Sequence, residues 1–202
     1  MIFIYGDSHA YNSFKNLSIP HVFLHHNSIT MFRIGRDNMI VNYDTRHHNE
    51  DSVVCLVYGE VDCRCHIAKQ KFMGRNEDDV IHELVYSYFN TIKNNIIQYK
   101  KIVIVGVIPT TNQVEYEKVH GPITHQFPFI GSDDDRVRYT TKVNILLKEQ
   151  CQKNGYIYFD PYYYYTTSNG TLKRELSDTN VHLGDNSFFL EKFIELYNNE
   201  IM

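Results

Sequence analysis

Three residues of this sequence have the chemistry to move an acyl group: Ser8, Asp178 and His182. Ser8 follows Gly6-Asp7, and residues 2–5 before it (Ile-Phe-Ile-Tyr) are all apolar or aromatic. Such a run reads as a buried strand of a parallel sheet. Gly6-Asp7-Ser8 then falls at the carboxyl end of that strand, the edge where open α/β sheets bind ligands. A glycine there permits a sharp turn and displays the serine hydroxyl as a candidate nucleophile. Asp178-Thr-Asn-Val-His182 supplies a carboxylate and an imidazole just ahead of the last helical pattern. A hydroxyl, a base and an acid that orients the base are the parts of a covalent acyl-transfer site. Gly-Asp-Ser also makes an ordinary turn, so the assignment depends on elements that bring the two ends of the chain together.

Five strand-like runs are available for that task, at 2–5, 21–24, 52–58, 102–107 and 156–159. Their apolar residues are continuous rather than alternating, as in parallel strands covered on both faces. Between them, 77–100 reads as the clearest helix. Val80, Ile81, Leu84, Val85, Tyr88, Phe89, Ile92 and Ile96 recur on one face. Asn76 caps it, and Asp78 and Asp79 suit its positive end. A second helix begins after Ser132, with Tyr139, Val143, Leu146, Leu147 and Cys151 along one side. The last follows Asp185-Asn186-Ser187 and carries Phe189, Leu190, Phe193, Ile194 and Tyr197. Strands alternating with helices predict a doubly wound α/β domain spanning 1–202, an α/β/α sandwich around a five-stranded, mostly parallel sheet. The connection 109–131 lacks periodicity and holds Pro122 and Pro128. Structureless connections of that length are usually lids or binding loops, and this one leaves the carboxyl end of the fourth strand.

The composition narrows the field. At 202 residues, with 43% hydrophobic and 22% charged content, the chain is ordinary for a globular protein. A net charge of -4 with dispersed lysines argues against a nucleic-acid partner. No run approaches the roughly 18 apolar residues of a membrane span, and the start lacks the basic and long apolar regions of a signal peptide. A cytoplasmic, membrane-free protein is the expectation. Cys55, Cys63, Cys65 and Cys151 suit a reducing compartment. Cys63-Arg64-Cys65-His66 lacks the paired spacing of a structural zinc site, so packing cysteines and no metal are expected. The run Tyr162 to Tyr165 reads as a half-buried loop or strand edge, or else as a stacking wall for a sugar ring. Among eleven histidines, His182 stands out by its place before the terminal helix. His9 adjoins the serine on a turn that points it elsewhere, His120 and His125 lie in the long connection near substrate, and His25, His26, His47 and His48 read as solvated turn residues.

Taken together, these segments resemble the SGNH (GDSL-type) hydrolase superfamily. Gly6-Asp7-Ser8-His9 is similar to its first block, Thr30 to Arg36 to its second, Gly59-Glu60-Val61-Asp62 to its third, and Asp178 to His182 to its fifth. The resemblance spans nearly the whole chain and implies a flavodoxin-like α/β fold. It implies Ser8 as nucleophile, His182 as base and Asp178 as acid, with the N–H groups of Ser8 and Gly35 on the oxyanion. Asp7, Gly59 and Asp62 belong to the blocks that shape the oxyanion and substrate region. Two departures stand out. Where the family's third block has an oxyanion-donating Asn, this chain has Val61, and loss of one such donor costs on the order of a hundredfold to a thousandfold in rate. Arg64 is the nearest substitute, or a binder of an anionic substrate group, or an ion-pair partner of Glu60 or Asp62. The family's acid also stands three residues before the histidine, where this chain has Thr179; Asp178 stands four before, so either a one-residue bulge in the loop restores the geometry or His182 works in a dyad, oriented by a backbone carbonyl.

The chemistry expected is transfer of a small acyl group, acetyl above all, carried by a sugar or other small-molecule ester. Segments 35–37, 59–64 and 131–151 are similar to glycan-modifying members of the superfamily. Esterase and acetyltransferase both fit. The esterase needs no cofactor, and the transferase would take acetyl-CoA as its donor. A non-catalytic carbohydrate-binding descendant is the reading from another class, supported by Val61 and the shifted acid.

Overall fold

The computed structural model describes residues 1–25, 29–40, 51–96, 101–124 and 126–201, so His26, His47, His48 and His125 lie outside the described residues. Strands Ile2–Gly6 (β1), His21–His25 (β2), Val53–Val57 (β3), Lys101–Val105 (β4) and Ile157–Phe159 (β5) form one parallel sheet in the order β2-β1-β3-β4-β5. The chain reverses direction of travel across the sheet between β1 and β3, the kind of switch point at which open α/β sheets bind ligands. Both strands lie in register there, with Gly6 opposite Val57.

Successive strand residues face opposite sides, and both sides are apolar. Phe3, Tyr5, Val54, Leu56, Ile102 and Ile104 meet the helices Met31–Asp37 (α2), Ile67–Phe72 (α3), Glu77–Asn95 (α4) and Asp133–Asn154 (α6). Ile2, Ile4, Val53, Cys55, Val57, Val103 and Val105 meet Ser8–Phe14 (α1) and Ser187–Leu196 (α7). That double coverage is why the strand sequences run continuously apolar. The long helices start where their caps predict. Asn76 Oδ1 accepts from the N–H groups of Asp78 and Asp79, and Ser132 forms a reciprocal capping box with Asp135.

The helices α1, α2, α3 and Gln113–His120 (α5) are short. The last lies inside 109–131, read above as structureless. Only Tyr116 of α5 is buried and Val114 and Val119 face outward, so its sequence carries no apolar stripe; the Asn112 cap, accepting from Glu115 N, sets its start. Tyr162–Tyr165 forms a 3-10 turn rather than a strand edge: Tyr162 and Tyr165 are buried, while Tyr163 and Tyr164 are exposed. Among the described residues, no helix is long and apolar enough to cross a membrane.

Candidate active site

Ser8 is the first residue of α1, delivered directly by β1. Asp7 is the N-cap, its Oδ1 accepting from His9 N at 2.9 Å. The glycine before it is needed for closeness rather than for a sharp turn. A Cβ at Gly6 would lie 2.4 Å from Ala10 Cβ and 2.7 Å from the Val57 carbonyl oxygen, so only glycine lets α1 start this close to β3. As the first helical residue, Ser8 keeps a backbone N–H with no partner inside the helix.

The other half comes from the loop between β5 and α7. His182 Nε2 stands 2.8 Å from Ser8 Oγ, and His182 Nδ1 stands 2.8 Å from Asp178 Oδ2. With Nδ1–H donating to the carboxylate, Nε2 accepts from the serine hydroxyl. The loop is wired for this. Asp178 Oδ1 accepts from Asn180 N and His182 N, and Asp178 N donates to the His182 carbonyl. Burial pushes the Asp178 carboxyl up, but the hydrogen bond and charge of His182 and the two amides outweigh it and hold it below its ordinary value. The four-residue spacing is absorbed at Thr179, whose φ of 66° is left-handed. This is the bulge that the spacing calls for.

Behind the triad lies a buried charged cluster. The His9 and His182 rings are 4.7 Å apart. His9 Nε2 donates to Glu60 at 3.1 Å, and Arg64 Nε reaches the same carboxylate at 2.9 Å. Burial pushes the His9 imidazole down, but Asp7 and Glu60 outweigh it and raise its pKa. Burial pushes Glu60 up, and Arg64 and His9 overcome that, holding it at about 2. Burial raises the Asp7 carboxyl above its ordinary value, so His9 and Arg64 converge chiefly on the Glu60 carboxylate. His9 and Tyr58 also line a cavity of about 10 Å³ with Asp7, Glu60 and Tyr162, and among the described residues neither His9 Nδ1 nor the Tyr58 hydroxyl has a hydrogen-bond partner. That cavity is about the size of one water.

The remaining block residues serve the scaffold. Asp62 is fully buried and accepts from Met31 N at 2.7 Å and Phe32 N at 3.1 Å, capping α2 from a different element. Burial, against those two amides, pushes its pKa up to about 7. Gly59 adopts φ 118°, and a Cβ there would meet Val107 and Met31. Gly35 does not present its N–H to an oxyanion. It sits inside α2, beyond the helix's first free amides, and a Cβ would lie 2.7 Å from Ser87 Cβ of α4; it is a helix-packing glycine. Arg64 does not replace the missing Asn either. Beyond its pair with Glu60, its Nη1 donates to the Phe127 carbonyl at 2.8 Å, and its guanidinium lies over Phe129. The Glu60 ion-pair reading is the one its geometry bears, and Val61 is buried with no side-chain donor.

Sequence spacing points His9 away from the site and offers Glu60 only as an ion-pair partner of Arg64, whereas His9 packs on His182 and shares Glu60 with Arg64. Asp7-x-His9 and Glu60-x-x-x-Arg64 put charged residues where apolar ones belong, next to strand ends, and that was the available signal. His120 and Arg174 both donate to the Thr179 carbonyl, at 2.6 Å each, and nothing in sequence spacing joins them.

No protein-family model matches the chain, and no curated protein matches it. Solved structures do. A Bacteroides fragilis protein assigned as an acylhydrolase superposes with a TM-score of 0.62 at 14% identity, covering 100% of this chain and 88% of that one. A GDSL-like lipase from Bacteroides thetaiotaomicron gives 0.60 at 12% identity, with the same coverage of 100% and 88%. A member of the lipolytic G-D-S-L family from Veillonella parvula gives 0.55 at 10% identity, covering 98% of each chain. The fold is that of the GDSL/SGNH hydrolases.

Proposed function

We propose that the chain, starting from that fold, is a serine-dependent acyl-transfer enzyme that hydrolyses a small acyl ester, acetyl by preference, carried by a carbohydrate. The observation that carries the reading is the unbroken line of two 2.8 Å contacts from Ser8 Oγ through His182 to Asp178, within the range at which a base takes a nucleophile's proton. His182 Nε2 removes the hydroxyl proton as Ser8 Oγ bonds to the acyl carbon, and the carbonyl π electrons move onto oxygen. The Ser8 N–H lies at the start of α1 to meet that oxyanion. Collapse of the intermediate breaks the bond to the sugar oxygen, which leaves with the proton from His182. Water then adds to the acyl-enzyme by the same steps, giving the free acid and regenerating Ser8. Asp178 holds the imidazole in the required tautomer and stabilises the imidazolium that forms twice per cycle.

The sugar-borne ester rests on the resemblance read from segments 35–37, 59–64 and 131–151 of the sequence. Acetate release from O-acetylated oligosaccharides tests the reading: turnover in the wild type and none in Ser8→Ala supports it. Acetate formed only as a minor product beside an acetylated acceptor, with acetyl-CoA consumed, would assign the transferase instead. Undiminished carbohydrate binding without turnover in either protein would assign the binding role.

A further inference from the structure

We propose that Arg174 and His120 are positioning residues that hold the catalytic acid in place through a single left-handed residue, Thr179; the inference rests on the acyl-transfer reading above. A β-branched side chain at positive φ is a backbone outlier, and such outliers persist where surrounding contacts over-determine them. Thr179, at φ 66°, is held at both its carbonyl and its N–H. Its carbonyl accepts from His120 Nε2, the last residue of α5, at 2.6 Å. It also accepts from Arg174 Nη1, in the 3-10 turn Arg174–Leu176, at 2.6 Å. Its N–H donates to Ser177 Oγ at 3.2 Å, and Ser177 Oγ donates in turn to the Arg174 carbonyl at 2.8 Å.

The consequence falls one residue away. With Thr179 turned left-handed, the chain doubles back so that Asn180 N and His182 N both reach Asp178 Oδ1, at 2.8 and 3.1 Å. That leaves Oδ2 free to face His182 Nδ1. An extended residue at 179 would carry the two amides away from Oδ1 and free the carboxylate to rotate. The acid and base are therefore aligned by two donors that act on a carbonyl, not on the reacting atoms. One of these donors arrives from the 109–131 connection, more than fifty residues away in sequence.

A double-mutant cycle tests this. Arg174→Ala with His120→Ala is expected to lower kcat on p-nitrophenyl acetate by about tenfold with little change in KM, the scale of one charge-assisted hydrogen bond and one released outlier. In a Thr179→Gly background the same pair of substitutions is expected to cost less than about threefold, because glycine takes positive φ without help. A substrate-free readout runs beside it. The downfield proton resonance of His182 Nδ1–H, hydrogen-bonded to Asp178, is expected to broaden or vanish in the double variant and to return when Thr179→Gly is added. An unchanged resonance in the double variant overturns the proposal, as does an equal loss in the Thr179→Gly background, which would mark the effect as general destabilisation. Ser8→Ala separates the two claims: turnover surviving that change refutes the nucleophile, while the resonance still reports on the clamp.

Discussion

Glu60→Gln probes the buried cluster with the least change in shape. Glu60 is 5% exposed and is shared by His9 and Arg64, themselves 4% and 7% exposed. Removing its charge leaves the Arg64 guanidinium inside the protein with neutral acceptors only, the Phe127 carbonyl and the Gln oxygen, among the contacts described above. Breaking a buried pair from one side costs about 3–5 kcal/mol; Gln keeps the volume and one acceptor, so the low end, about 3 kcal/mol, is expected at pH 7. For a chain of this size that is a fall in Tm of roughly 6–12 °C. The pH dependence fixes the cause. Glu60 has a folded pKa of about 2, below its ordinary value of 4.5, so its contribution is present above the unfolded value and is lost as pH falls toward the folded one. Urea unfolding at steps from pH 7 to pH 3 should therefore show wild type and variant converging below about pH 4.5. Equal stability at pH 7, or a gap that stays constant down to pH 3, would refute the assignment of Glu60 as the charged centre of this cluster.

Three further outcomes follow from the same geometry. Asp178→Asn should lower kcat by about 10³–10⁴-fold, since an amide leaves His182 in the wrong tautomer, while circular dichroism and thermal unfolding stay close to wild type; steady-state kinetics decide it. Gly35→Ala should destabilise by about 1–3 kcal/mol through overpacking against Ser87, with activity per folded molecule retained; loss of activity without loss of stability would restore Gly35 to the oxyanion site. Asp62 binds its proton more tightly folded than unfolded, so its own contribution falls as pH rises from about 4 to 7. Asp62→Asn should then be most destabilised relative to wild type at the acid end of that range, and chemical unfolding at pH 5 and pH 7 measures the difference.

The sheet was legible because both faces of every central strand are covered, which writes unbroken apolar runs into residues 2–5, 53–58 and 102–105. The long helices were legible from stripe and cap together, at Asn76 and Ser132. Short helices were not: α1 and α2 have seven residues each, too few for a period to show, and the Thr30 cap of α2 is joined by a carboxylate thirty residues downstream in sequence, Asp62. Ser8 was readable at a strand end, Asp178 and His182 as an acid and an imidazole ahead of the last helix, and the bulge at 179 followed from counting. What spacing could not convey was direction. Gly35 has the right residue type but lies a turn inside a helix; Arg64 has free donors on paper and spends them on Glu60 and Phe127. Adjacent residues on a turn usually diverge, yet as the second residue of α1 His9 points inward, to the Glu60 carboxylate.

The most direct measurement of the central claim is intact-mass and peptide mapping after a fluorophosphonate reacts with the wild type, His182→Ala and Ser8→Ala. A Ser8 nucleophile with His182 as its base gives one adduct on Ser8 in the wild type, formation slowed by at least about a hundredfold in His182→Ala, and none in Ser8→Ala. An adduct on another residue, or labelling of Ser8 at an undiminished rate without His182, would contradict it.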